Sequence, residues 1–231
     1  VYSPERGKRL FPLVGVGLLY RQGYFHQTLD ADGTQQAAYA DSDFDDLPIS
    51  PLHDANGQDV LIAVEFPGRT VQAKVWEVRV GHVRLVLLDT WLPQNSVHDR
   101  EITHRLYGGD RTARIEQEIL LGVGGVRALA VLGLKPTVWH VNEGHAAFLI
   151  LERIRTLVAG GLPYAAAIEA VAANVVFTTH TPVPAGHDHF IEEMMRHYFS
   201  NWCNGAGVPC ANLPGLGADP RQTEFNMTPL A

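Results

Sequence analysis

Two short polar clusters carry the side chains of this chain that could do chemistry. The first occupies residues 142–145 (NEGH) and the second occupies residues 179–182 (THTP). Together they offer a carboxylate, an amide, two imidazole rings and two hydroxyl groups, which can form hydrogen bonds or exchange protons. We expect the clusters to act as one polar site if the fold brings them together.

A predicted βαβ unit places both clusters. Short strands at 137–140 and 174–178 flank two predicted helices, at 144–159 and 163–173. Such a crossover is nearly always right-handed and makes the strands parallel, so the residues that follow each strand share one carboxyl edge of the sheet. Ligands bind at that edge in open α/β sheets. We therefore expect the two clusters to line one crevice.

Structural roles are alternatives for the same residues. Asn142 and Glu143 could merely cap the following helix, because a carboxylate or amide there satisfies free N–H groups and suits the helix dipole. His145 would lie in the first turn of that helix, whose positive end favours a neutral, hydrogen-bonding imidazole. His180 and His145 could also be structural histidines, although Pro182 and Pro184 would stiffen the backbone after His180, which would help a site to hold its geometry.

The histidines also suggest a metal-dependent hydrolase. His180, His187 and His189, with Glu143 and His145 nearby, are of the residue types that bind zinc. Their spacing is irregular, and the sequence contains no HExxH helix or paired CxxC motif. We therefore predict no metal site. A GxGxxG motif after a strand and a Walker loop are also missing, so the sequence does not support a dinucleotide or nucleoside triphosphate site.

The remaining chain has the pattern of an α/β domain. Apolar, β-branched runs predict a buried strand at residues 13–20 and further strands at residues 60–66, 71–80 and 82–88. Gly81, between the last two, predicts a tight antiparallel hairpin. Apolar residues at helical spacing predict a helix over 112–132, which its glycines weaken. Residues 30–58 show no periodicity and are predicted as a surface loop.

Composition narrows the classes of function. The 231 residues are 46% hydrophobic, which suits one domain or a large part of one. The net charge is -7 and the basic residues are scattered, so nucleic acid is not an expected partner. No sequence window predicts a membrane span, and the first residues do not resemble a signal peptide. Because Cys203 and Cys210 are the two cysteines of the chain, a reducing cytoplasm is the expected location.

The segments that contain the two clusters, residues 139–149 and 177–187, resemble the compact bacterial-type α-glucan phosphorylases. Residues 15–25, positions within 106–118 and residues 225–228 also resemble that family and follow in the family's order. The resemblance covers nearly all of the chain after residue 11.

This resemblance implies an α/β fold of the GT-B type, in which two Rossmann-like domains flank a deep cleft, here with an added β-hairpin region. It implies that α-1,4-glucans or maltooligosaccharides react with phosphate to release glucose 1-phosphate, with pyridoxal phosphate acting through its phosphate group. It also implies that His180 lies against the reacting glucose, as the catalytic candidate. The substrate-binding candidates that it implies are Asn142, Glu143, His145 and Thr181.

The same resemblance predicts an incomplete enzyme. Residues 1–231 are expected to form a partial N-terminal domain, in which residues 1–11 diverge because they do not match the family's glycine-rich loop. The cofactor lysine and the phosphate-binding residues are expected in a second domain, for which no sequence remains after Ala231. Glu116 also stands where the family has a basic residue.

We therefore expect the chain to supply the sugar-binding half of a phosphorylase and to be inactive alone. The alternative is a non-catalytic module that binds maltodextrin or packs against a separate, cofactor-bearing chain. The expected macromolecular partners are the missing domain or a second copy of the chain.

Overall fold

The computed structural model describes residues 12–106, 108–183, 186–208, 210–221 and 223–231. The strands are β1 (Val14–Leu18), β2 (His26–Leu29), β3 (Gln35–Ala38), β4 (Ser50–Pro51), β5 (Leu61–Phe66), β6 (Arg69–Val80), β7 (Val83–Asp89), β8 (Trp139–Asn142), β9 (Val175–Thr178), β10 (His189–Phe190) and β11 (Phe225–Asn226). The helices are α1 (Val97–Arg100), α2 (Arg111–Ile119), α3 (Gly125–Val131), α4 (Phe148–Ala159), α5 (Tyr164–Ala172), α6 (Glu192–Ala206), α7 (Leu213–Leu216) and α8 (Met227–Leu230). The expected α/β class is confirmed.

A sheet of five strands, counted over the described residues, joins β1 to the predicted hairpin. β1 pairs in parallel with β7, from Val14 opposite Arg84 to Leu18 opposite Leu88. β6 and β7 are antiparallel, and the chain turns between them at Gly81. The φ of Gly81 is 61°, a conformation that glycine adopts at little cost. β4 and β5 both pair with β6. The hairpin strands therefore extend the same sheet that β1 begins.

Residues 30–58, predicted as a surface loop, contain secondary structure. β2 and β3 form an antiparallel hairpin whose residues are all exposed, and β4 adds to the main sheet. Phe44 is buried in this region against Leu19 and Trp76. The loop prediction was wrong for β3 and β4, whereas β2 precedes its bounds. A hairpin that buries neither face, such as that of β2 and β3, leaves no apolar alternation in the sequence.

The predicted helix over 112–132 is present, but its middle turn is wider than an α-helical turn. α2 continues through a π-helical turn, Leu120–Gly124, into α3. The glycines have a packing reason here: a Cβ built on Gly122 would lie 2.6 Å from the backbone nitrogen of Leu149. This helix therefore packs directly against the backbone at the start of α4.

The predicted βαβ unit is confirmed. β8 and β9 are parallel, from Trp139 opposite Val175 to Asn142 opposite Thr178, and α4 and α5 lie between them in sequence. The buried side chains of α4 belong to the main core, which also takes in β5, β6 and β7. The two polar clusters therefore begin at adjacent strand ends.

The segment after the second cluster returns to the site. β10 pairs with β11, and α6 lies between them with its residue Cys203 disulfide-bonded to Cys210. A disulfide was not expected from the sequence, because the predicted location was a reducing one. In the described part of the chain, no helix is both long and apolar enough to cross a membrane.

Candidate functional site

The two polar clusters meet at the carboxyl ends of β8 and β9. The backbone N–H of Glu143 donates to the Thr178 carbonyl at 2.9 Å, which extends the parallel pairing by one residue. The His180 ring then lies between side chains of the first cluster, with Nε2 at 3.1 Å from Asn142 Oδ1 and Nδ1 at 3.2 Å from Glu143 Oε1. The expected convergence of the clusters is confirmed.

Glu143 is the fixed point of this arrangement. Its side chain is buried, and Oε1 accepts the backbone N–H groups of His180 at 2.7 Å and of Thr181 at 2.8 Å. These hydrogen bonds, that of His180 first, lower the pKa of the carboxyl to about 2. The carboxylate is therefore ionised at neutral pH and holds the backbone of the second cluster in place.

Helix capping is not the role of Glu143. It precedes a short 3₁₀ turn, Gly144–Ala146, without a side-chain hydrogen bond to that turn. Its backbone has a φ of 62°, which only Gly adopts readily, and such a conformation costs on the order of 1–3 kcal/mol. Surrounding structure must hold the residue in this conformation, and the two hydrogen bonds to the second cluster contribute to that.

His180 combines a fixed ring with an open face. Its side chain is 61% exposed, although both ring nitrogens face oxygen atoms of the first cluster. A buried structural histidine would not have this exposure, so the ring is free to contact a ligand.

His145 lies beside this pair in the 3₁₀ turn and is half-buried. Burial, followed by the positive charge of Arg114, lowers the pKa of the imidazole below its ordinary value. The expected neutral state is thus supported, but the main cause is burial and not the positive end of a helix.

Thr181 and Gly186 close the loop that carries the second cluster. The Thr181 backbone N–H donates to Glu143, and a Cβ built on Gly186 would lie 2.3 Å from the Thr181 methyl group. Any larger residue at position 186 would therefore push this loop open. Pro184, which was predicted to stiffen it, lies outside the described residues.

Three charged residues beside the crevice were not predicted as site residues. Arg114 Nη2 donates to Asp188 Oδ2 at 2.8 Å, and Arg114 Nε lies 3.0 Å from Glu118 Oε1. The spacing of Arg114 and Glu118 by four residues on one helix could have indicated this pair. The sequence did not indicate that Asp188 would join this pair, because the position of Asp188 depends on the turn that precedes β10.

The other histidines do not gather around a metal. His187 Nδ1 lies 2.9 Å from the Thr228 hydroxyl, and His189 pairs with Asn226 in the β10–β11 ladder. Over the described residues, no group of three His, Cys, Asp or Glu side chains is arranged to hold a metal ion.

The described lysines do not fit a pyridoxal phosphate site in the crevice. Lys74 pairs with Asp59 at 3.2 Å on the main sheet, and Lys135 lies in the turn before β8, at the amino end of that strand. Neither can place an amine at the carboxyl edge, where the two clusters meet. The residues described here therefore supply no Schiff base to such a cofactor.

Glu116, where a basic residue was expected, points away from this crevice into a separate network. Its carboxylate accepts hydrogen bonds from Arg69 at 2.7 Å and Tyr198 at 2.8 Å, and it lies 3.0 Å from His98 Nε2. It is 1% exposed. Glu116 thus ties α2 to β6 and α6.

Three proteins that are similar in sequence to this chain are named as glycogen or maltodextrin phosphorylases. The chain is 47% identical over 229 residues to the glycogen phosphorylase of Mycobacterium tuberculosis, covering 94% of this chain and 26% of that protein. It is 43% identical to the maltodextrin phosphorylase of Thermococcus litoralis, over 95% of this chain and 26% of that protein. It is 35% identical to the glycogen phosphorylase of Aquifex aeolicus, over 94% of this chain and 32% of that protein.

Two further comparisons add less. No family model matches the chain. Among solved structures, the catalytic domain of starch synthase IV from Arabidopsis thaliana aligns with a TM-score of 0.45 and 14% identity, over 78% of this chain and 31% of that one. Because this structural similarity is low, the two-domain GT-B architecture is a proposal for this chain.

Proposed function

We propose that this chain supplies the sugar-binding part of an α-glucan phosphorylase. Nearly all of it is homologous to a segment that makes up about a quarter of the length of such enzymes. The reaction is the transfer of a glucosyl unit from an α-1,4-glucan to phosphate, which gives glucose 1-phosphate. The observation that carries the proposal is His180, whose ring is 61% exposed and yet held by Asn142 and Glu143 at the carboxyl edge of two parallel strands.

These residues have separate tasks in the proposed site. His180 contacts the reacting glucose, and the neutral His145 offers one donor and one acceptor to its hydroxyl groups. Asn142 and Thr181 complete the polar wall of the crevice. Glu143 holds the second cluster before the sugar binds, so little of the binding free energy is lost in ordering it. This is positioning for glycosyl transfer, with the His180 ring as the catalytic group.

The phosphate chemistry belongs to groups outside this crevice. In the complete enzyme, a pyridoxal phosphate cofactor would supply the phosphate chemistry, and its lysine would belong to a second domain of a GT-B fold. Here Arg114, the guanidinium beside the crevice, is already paired with Asp188 and Glu118. We therefore propose that the isolated chain binds the glucan but does not turn it over, and that activity requires the second domain.

The binding part of this proposal is tested by calorimetric titration with maltooligosaccharides. We expect measurable affinity, and a loss of about tenfold or more in His180→Ala, which corresponds to about 1.4 kcal/mol. His82→Ala is the matched control, because His82 is an exposed histidine in the β6–β7 turn, remote from the crevice. Equal affinities for the two variants would remove His180 from the site.

The second test separates binding from catalysis. Phosphate release from glucose 1-phosphate is measured with a maltooligosaccharide acceptor, with and without added pyridoxal phosphate. We expect no release by the chain alone. Release that requires both the cofactor and His180 would show that the second domain is dispensable, contrary to this proposal.

A further inference from the structure

Glu118 is a buried carboxyl group without a proper hydrogen-bond donor. Its side chain is 1% exposed, and neither oxygen accepts a hydrogen bond from the described residues. Arg114 Nε lies 3.0 Å from Oε1 but does not have hydrogen-bond geometry. Burying an ionised carboxylate in this way is costly, and buried polar atoms in proteins are nearly always paired.

A second carboxyl lies at the same guanidinium. Asp188 lies in the turn before β10, and its carboxylate accepts a hydrogen bond from Arg114 Nη2 at 2.8 Å. One guanidinium therefore faces two carboxyl groups from different elements. If both were ionised, neither could donate to the other, and the cluster would keep an uncompensated negative charge.

A single proton resolves both problems. Placed on Glu118, it turns that side chain into a donor to Asp188 and leaves Arg114 and Asp188 as a neutral ion pair. The electrostatics agree: burial, and then the charge of Asp188, raise the pKa of Glu118 well above its usual range. Although burial opposes it, the hydrogen bond from Arg114 and the positive charge of that guanidinium hold the pKa of Asp188 below its ordinary value.

We propose that Glu118 retains a proton at neutral pH and donates it in a hydrogen bond to Asp188, which makes Glu118 a positioning residue for the crevice. Its effect passes through Asp188 and Arg114. The Asp188 carbonyl also accepts the Met227 N–H at 3.1 Å, so the position of this turn is transmitted to the segment that packs under the first cluster.

Protonation of Glu118 also sets the charge that His145 meets. A neutral Glu118 leaves the adjoining Arg114–Asp188 pair without net charge, which suits a neutral imidazole. An ionised Glu118 would add a negative charge nearby and favour the imidazolium. The charged or titratable groups that face Glu118, Asp188, Arg114 and His145 from neighbouring elements are Tyr20, Glu143 and His180.

The test is the protonation state of the two carboxyls, read from their ¹³C chemical shifts in NMR titrations of the full chain. We expect Glu118 to remain protonated at pH 7 while Asp188 is ionised. In Glu118→Gln, the amide replaces the donor, so the Asp188 midpoint is expected to stay unchanged. In Glu118→Leu, the donor is lost, so that midpoint is expected to rise by about one unit.

A second variant keeps the proposal testable if Glu118→Leu does not fold. Asp188→Asn removes the facing charge, so Glu118 is expected to titrate at lower pH by about one unit or more. An ionised Glu118 in the unaltered chain at pH 7, or a Glu118 midpoint that Asp188→Asn leaves unchanged, would overturn the proposal.

The role of this proton in sugar binding rests on the function proposed above, whereas the carboxyl titration does not. Maltooligosaccharide affinity is expected to be retained in Glu118→Gln and reduced several-fold in Glu118→Leu. If the unaltered chain binds no sugar but Glu118 is protonated, the functional proposal fails and the shared proton stands. If sugar binds equally well to all three chains, Glu118 has no positioning role.

Discussion

Glu143 shows how much of the site a single residue determines. The sequence predicted that it would face the second cluster, because both clusters follow parallel strands. Its positive φ and its two backbone hydrogen bonds could not be predicted, since they depend on the position of the loop at 180–181. Residue type alone also favoured a helix cap. A carboxylate that caps a helix and one that reaches the end of another strand cannot be told apart from the sequence.

The pKa of Glu143 gives a prediction about stability. Its value of about 2 in the folded chain lies below the ordinary 4.5, so the carboxylate stabilises the fold above about pH 4.5 and this contribution is lost as pH falls towards 2. We expect Glu143→Gln to lower the thermal midpoint at pH 7 by on the order of 5 °C, with the difference from the unaltered chain shrinking below pH 4.

Glu192→Gln is the matched control for that measurement, because Glu192 is an exposed carboxylate paired with Arg196 one turn along α6. Its effect should stay within about 0.5 kcal/mol, as for other exposed ion pairs. A Glu143→Gln deficit that is constant from pH 7 to pH 2.5 would contradict an anchoring role that depends on the charge.

At the scale of elements, the packing of the helix formed by α2, the π-helical turn and α3 explains two of its glycines. Hydrophobic spacing predicted one helix, and the glycines were expected only to weaken it. The sequence could not show that their missing side chains let the helix approach α4 at Gly122 and β1 at Gly125. Close backbone approach is a property of two elements together, whereas periodicity describes one element at a time.

Two alanine variants in this turn should therefore behave differently. A Cβ on Gly122 would meet backbone atoms at 2.6 Å and 2.8 Å, whereas one on Gly124 would meet side-chain methyl groups at 3.2 Å or more. Both variants gain about 1 kcal/mol of helix propensity. We expect Gly122→Ala to lose about 1–3 kcal/mol from overpacking and Gly124→Ala to stay near neutral, measured by urea unfolding. Equal midpoints for the two variants would show that the backbone contact gives way without cost.

At the scale of the whole molecule, local patterns predicted the elements better than their partners. The βαβ unit was correct because consecutive strands joined by helices pair in parallel with a constrained handedness. The joining of β1 to the hairpin strand β7 required contacts between residues about seventy positions apart, as in Val16 opposite Val86, and no short-range pattern specifies such a pairing. β1 was predicted as a buried strand, but all five of its residues are half-buried.

The disulfide makes a prediction about the whole chain. It closes a short loop between α6 and the segment that leads to β11, and α6 packs on α4. Loop-closure entropy in the unfolded chain suggests a stabilisation of about 2 kcal/mol. We expect a dithiol reductant to lower the urea midpoint accordingly and to have no effect on a Cys203→Ala, Cys210→Ala double variant. An unchanged midpoint, with mass spectrometry showing both thiols free, would mean that the bond adds no stability.

The contact between Gly144 and Met227 also sets when the crevice can form. A Cβ on Gly144 would lie 3.0 Å from the Met227 side chain, which is itself fully buried. The chain leaves the ribosome from its amino end, so the first cluster emerges well before the segment that packs beneath it. Long-range contacts of this kind form late in folding. The crevice therefore forms only after residue 227 has emerged, and a chain stalled before that residue would carry both clusters without the packing that orients them.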